Sequence, residues 1–141
     1  MKTGLLGVVA GAALVAATMP VLAHHAFSAE FDATKPINLK GTVTKVEWIN
    51  PHAWVHVDVK KPDGKVETWM IEGGTPNTLF RRGFSKDSLK PGTEIIVDGY
   101  QAKDGTMKAN GRDLTLTDGK KLFMGSSGTG APNDGRDPGG R

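Results

Sequence analysis

Apolar residues change rhythm three times along this chain. Leu5 to Ala17 is a nearly continuous apolar run broken only by small residues. From Leu39 to Met124 short apolar stretches alternate with turn-forming clusters, and Gly125 to Arg141 has no large apolar side chain. The middle segment reads as strands. Leu39 to Ile49 contains Val43, Val46, Trp48 and Ile49 and ends at Asn50-Pro51, a turn signal. In Ala53 to Lys60 the alternation is strict. Val55, Val57 and Val59 take one face and Trp54, His56 and Asp58 the other, because successive strand side chains point to opposite sides. Pro62-Asp63-Gly64 turns the chain, and Val66 to Ile71 returns as a third strand.

A short helix is predicted next. Thr75 supplies an N-cap oxygen, Pro76 suits the first helical position, and Gly83 suits the left-handed residue just past the end. Leu79 and Phe80 are expected to face the core, while Arg81 and Arg82 close the last turn, where positive charge suits the helix dipole. Lys90-Pro91-Gly92 leads into a fourth strand, Glu94 to Tyr100. Residues 106–116 form a fifth, with an extension at Lys121 to Met124. The expected fold is therefore all-β with one short helix, in the order β-β-β-α-β-β. That is the order of a small antiparallel barrel of the oligonucleotide/oligosaccharide-binding (OB) type. An antiparallel β-sandwich would produce nearly the same pattern and stays open as the alternative.

The apolar run near the start changes the picture. Lys2 gives it a basic flank, and Val21-Leu22-Ala23 closes it with a small residue, the layout of a cleavable secretory signal peptide. Its extreme N-terminal position and Ala/Gly content favour removal over a membrane span. The expected organisation is a signal peptide at 1–23, an extended leader at 24–38, the barrel at 39–124 and a disordered tail at 125–141, in a periplasmic or secreted protein. The formal net charge is +3, from 18 Lys and Arg against 15 Asp and Glu, but the signs interleave, as in Lys60, Lys61, Asp63, Lys65 and Glu67. No basic face can be read from that order, so nucleic acid is not an expected partner. There is no cysteine, which excludes a disulfide framework, a thiolate metal site and a cysteine nucleophile.

Several separated segments carry a family likeness. They are His24-His25-Ala26-Phe27, Glu30-Phe31-Asp32, Trp48-Ile49-Asn50-Pro51-His52, Glu72-Gly73-Gly74-Thr75-Pro76-Asn77, Arg81-Arg82-Gly83 and Leu89-Lys90-Pro91-Gly92. In this order they resemble a family of small exported bacterial proteins known as domain of unknown function six-one-five-two, over about residues 24–123. The resemblance implies export and a single small domain. It supplies no activity and no catalytic residues.

The sharpest candidate chemistry lies at the start of the expected mature chain. Cleavage after Ala23 would free the α-amine of His24, and that amine and the same residue's Nδ1 can close a chelate ring on a metal. His25, or a histidine from across the fold, would add a further imidazole. Copper(II) favours nitrogen ligands in tetragonal geometry, so copper(II) is the expected cofactor. His52 and His56 lie four residues apart on a strand, a span of about 13 Å, too far to grip one ion together. His52, beside the Asn50-Pro51 turn, is the freer of the two and the candidate third metal ligand. A second reading uses an aromatic and polar surface: Trp48, Asn50, Trp54, His56, Glu72, Asn77 and Arg81. Trp48 and Trp54 would approach one another across the turn, and Arg81 or Arg82 would pair with Glu72. Such a surface would bind a small planar ligand, an envelope glycan or a partner protein, without metal. No G-x-S-x-G elbow and no H-E-x-x-H motif is present, and no carboxylate pair stands out by spacing, so catalysis is not expected.

Overall fold

The structure is a computed structural model and describes residues 27–125. The expected signal peptide, His24, His25 and the chain after Gly125 lie outside the described residues. A helical turn at residues 27–30 precedes six strands and one helix: β1 (Phe31–Glu47), β2 (Trp54–Lys60), β3 (Val66–Glu72), α1 (Pro76–Arg81), β4 (Glu94–Ala102), β5 (Lys108–Leu116) and β6 (Lys121–Phe123). The fold is all-β with one helix between the third and fourth strands, in the order the sequence predicts.

All six strands belong to one sheet, ordered β3-β2-β1-β4-β5-β6, and a further pairing joins β3 to β5. Hydrogen bonding therefore runs in a ring through β1, β2, β3, β5 and β4, the connectivity of the OB-like arrangement, with β6 added at the edge of β5. The closing pair is parallel, aligning Met70 with Lys108 and Glu72 with Asn110, where an antiparallel assembly was expected. The ring needs one long shared strand. β1 pairs with β4 through its first half and with β2 through its second, and Thr42 faces both Asp58 and Glu94. A register shift between Val43 and Lys45 bends it where it passes from one partner to the other. β1 also starts at Phe31, inside the segment expected as leader, because Pro36 to Leu39 pair with Val97 to Tyr100.

The inward valines fill the interior as the alternation predicts: Val55, Val57 and Val59 are buried beside Val43, Ile71, Ile95, Val97, Leu114 and Met124. Burying each such side chain contributes roughly 1.5–3 kcal/mol, the main stabilising term in a chain without disulfides. α1 caps this interior. Thr75 accepts from the Thr78 amide, Pro76 opens the helix, and Gly83 follows the Arg82 cap at φ +97°, a conformation that glycine adopts without a Cβ clash. Leu79 enters the core, but Phe80 does not. It is exposed and lies on Trp48, ring centroids 5.0 Å apart. A six-residue helix has one narrow buried stripe, and Leu79 with Pro76 fills it.

Candidate functional site

His52 and Glu72 come together where the ring closes. Ala53 donates to the Gly74 carbonyl at 3.0 Å and Gly73 to the Ala53 carbonyl at 2.8 Å. These bonds extend the β2–β3 pairing past the Trp54–Glu72 register pair and fix the backbone on both sides of the site. The His52 Nδ1 lies 3.2 Å from Glu72 Oε1. Asn110, buried on β5 and aligned with Glu72, hydrogen-bonds the same carboxyl. Glu72 is a buried charge-bearing residue, 7 % exposed, whereas the His52 side chain keeps 25 % of its surface in solvent.

The segment that leads into β1 reaches the same place. Phe27 and Phe31 are buried against Ala102 and Tyr100; Phe27 meets Phe31 at 5.8 Å and sits edge-on to Tyr100 at 5.7 Å. The Lys103 amide donates to the Glu30 carbonyl at 2.9 Å, and Lys103 Nζ donates to the Ser28 carbonyl. Tyr100 is the register partner of Asn110. The turn at 27–30 is thus pinned beside the strand that supports Glu72, and the charge of Glu30 acts on both members of the His52–Glu72 pair.

Burial dominates the electrostatics of the pair. It pushes the Glu72 carboxyl up to about 7, with the negative charge of Glu30 adding to the effect, while the Asn110 hydrogen bond and the Lys108 charge oppose it. Burial also holds the His52 imidazole below its ordinary value, opposed by Glu30. Both shifts disfavour charge, so near neutral pH His52 is an uncharged imidazole, the form that ligates metals.

The remaining predicted residues go elsewhere. His56 turns to a different carboxylate, its Nε2 2.8 Å from Glu47 Oε2, so the two strand histidines do not share a partner. The hydrogen bonds from Lys45 and His56 hold the Glu47 carboxyl below its usual range. Trp48 packs on Phe80, while Trp54 lies under Lys108, whose Nζ is 5.4 Å from the ring centroid. Each ring has its own partner in place of the expected approach of the two tryptophans. Asn50 and Asn77 are exposed. Arg81 reaches Thr78 at 3.5 Å, and Arg82 lies over Phe123 and donates to the Gly125 carbonyl; the expected arginine partner of Glu72 is replaced by His52 and Asn110. Lys108 and Asn110 carry no sequence signal of their own, because only the parallel β3–β5 closure brings them to Glu72, and Glu30 acts there through the turn pinned at the end of β4. Among the described residues, no group of three or more His, Asp or Glu side chains could hold a metal ion. No helix among them is long and apolar enough to cross a membrane.

A family model described as "Family of unknown function (DUF6152)" matches residues 12–111. No curated protein and no solved structure matches the chain.

Proposed function

The chain belongs to this family of unknown function, and from that premise we propose that it is an exported binding protein of the cell envelope that takes up copper(II) without catalysing a reaction. The ligands in this reading are the freed α-amine and Nδ1 of His24, the imidazole of His25, and His52. The observation that carries it is the pinned turn at residues 27–30. That turn is held on Ala102 and Tyr100 through Phe27 and Phe31, and the charge of Glu30 acts on both His52 and Glu72. The described residues contribute one imidazole, and the amino-terminal amine and imidazoles complete a nitrogen-rich set suited to copper(II).

The geometry favours this reading over a stacking surface, since Trp48 and Trp54 each already have a partner, Phe80 and Lys108. A copper(II) titration of protein processed by a bacterial export pathway, with intact mass read on the same sample, tests it. A mass beginning at His24 and one tightly bound equivalent are expected, with affinity falling at least tenfold when a single residue is added before His24. Weak binding unchanged by that extension would remove the amino-terminal chelate from the account.

A further inference from the structure

We infer that the end of the strand ring capped by α1 docks on the surface of an anionic lipid bilayer, with Trp48, Ile49 and Phe80 entering the headgroup layer and Arg81 and Lys86 meeting the lipid charge. The inference stands apart from the copper reading and uses none of its residues. Ile49 and Phe80 are large apolar side chains left in water, 52 % and 37 % exposed. They belong to two connections at the same end of the ring, where β1 stops, β2 begins and β3 runs into α1. Ile49 lies in the turn from β1 to β2, and Phe80 in the helix between β3 and β4. Trp48 joins them. It directly precedes Ile49, lies 5.0 Å from the Phe80 ring and packs against the core. The three side chains form one apolar patch carried by connections, not by a strand face.

Charge selects the occupant. Elsewhere the signs interleave, but from Gly73 to Thr93 four bases, Arg81, Arg82, Lys86 and Lys90, stand against one acid, Asp87. Lys90 holds that acid at 3.1 Å. Arg82 turns onto Phe123, whereas Arg81 and Lys86 are exposed, and Arg81 reaches only the Thr78 hydroxyl. The Phe84 amide donates to the Leu79 carbonyl at 3.1 Å, so the segment that carries Lys86 stays folded against α1. Glu47, the acid beside Trp48 in sequence, is engaged by Lys45 and His56. The patch is therefore apolar at its centre and cationic at its rim. An acidic protein would satisfy the same charges, but three partly exposed side chains offer well under the roughly 800 Å² that each partner of a stable protein complex buries. A bilayer needs no such area. Apolar tips immerse in its headgroup layer one by one, and each Lys or Arg near an anionic leaflet strengthens adsorption by about fivefold.

Co-sedimentation of the export-processed protein with vesicles tests the inference, using equal parts of phosphatidylglycerol and phosphatidylcholine against phosphatidylcholine alone. Binding to the mixed vesicles is expected, weakening as ionic strength rises, and at least about fivefold weaker without the anionic lipid. Phe80→Ser and Ile49→Ser are each expected to lower the partition coefficient by about fivefold or more. Arg81→Glu should do so by a similar factor, about fivefold. These side chains are exposed, so the urea midpoints of the variants should stay with the parent's. Any other membrane-seeking segment is common to all of them, and the differences read the patch alone. No binding, equal affinity for neutral and anionic vesicles, or binding unchanged in Phe80→Ser and Ile49→Ser overturns the inference. A dimer in sedimentation velocity that is lost in Phe80→Ser would assign the patch to a second copy of the chain and overturn it as well.

Discussion

Glu72→Gln is expected to make the protein more stable at pH 8, by up to about 3 kcal/mol. The sign follows from burial. In the folded chain the carboxyl titrates at about 7, against an ordinary value of 4.5, so between those values the folded state binds more protons than the unfolded state. Stability associated with Glu72 is then complete below pH 4.5, falls as pH rises through about 7, and levels off above that. Glutamine keeps the size and an acceptor for Asn110 and has no charge to bury. The difference in unfolding free energy between variant and parent should be small at pH 4.5 and grow to its full value by pH 8. The groups acting on Glu72 are His52, Glu30, Asn110 and Lys108. His52 works in the opposite direction. Its lowered value means that stability is lost as pH falls below 6.5, so the parent's own profile is flattened and the difference curve is the informative one. Urea unfolding of both proteins from pH 4.5 to 8 measures it. A difference independent of pH would show that the carboxyl is not held protonated by its surroundings.

Gly99→Ala is expected to cost on the order of 3 kcal/mol, through the backbone of β4 and β5. Gly99 faces Gly111 beside the register shift at Asp98, and there the two strands approach closely. A Cβ on Gly99 would stand 2.1 Å from the Asn110 carbonyl oxygen and 3.2 Å from the Gly111 Cα. Backbone atoms cannot swing aside as a flexible side chain would, so the strands must separate. Asn110, whose carbonyl oxygen the new Cβ would meet, also hydrogen-bonds Glu72, so the surroundings of that carboxyl should loosen with the strands. The urea midpoint should drop with little change in slope, whereas a loss under about 0.5 kcal/mol would mean that the strands part at little cost.

The sequence carries the strands and the helix because their signals are local. The alternation from Ala53 to Lys60 places Val55, Val57 and Val59 inward, and Thr75, Pro76 and Gly83 mark the ends of α1 almost to the residue. Phe80 departs from expectation because a helix this short cannot bury two adjacent apolar residues, and the half-buried Trp48 ring gives it an alternative. The start of β1 at Phe31 is hidden by Lys35-Pro36, which reads as a break. Pairing with β4 recruits that stretch, with the register shifting between Phe31 and Pro36. The site is less legible than the fold. His52 stands out beside a turn, and Glu72 is visible as an acid at a strand end. Their meeting follows from the β2–β3 register that pairs Trp54 with Glu72, whereas Asn110 and Lys108 reach Glu72 only through the parallel closure of β3 on β5, a contact between distant segments with no local signature. Asn110 shows the difficulty well. Asn110-Gly111 resembles a turn dipeptide, yet it lies inside β5 and supplies both a buried hydrogen bond and the close approach to Gly99.

In the proposed function one copper ion is shared between the amino-terminal histidines and the edge of the strand ring. Pulsed electron paramagnetic resonance of the copper(II)-loaded, processed protein tests it most directly, because remote imidazole nitrogens modulate the signal and can be counted. His52→Ala is expected to remove one such nitrogen while the copper remains on the amino-terminal chelate. The same nitrogen count with and without His52 would contradict it.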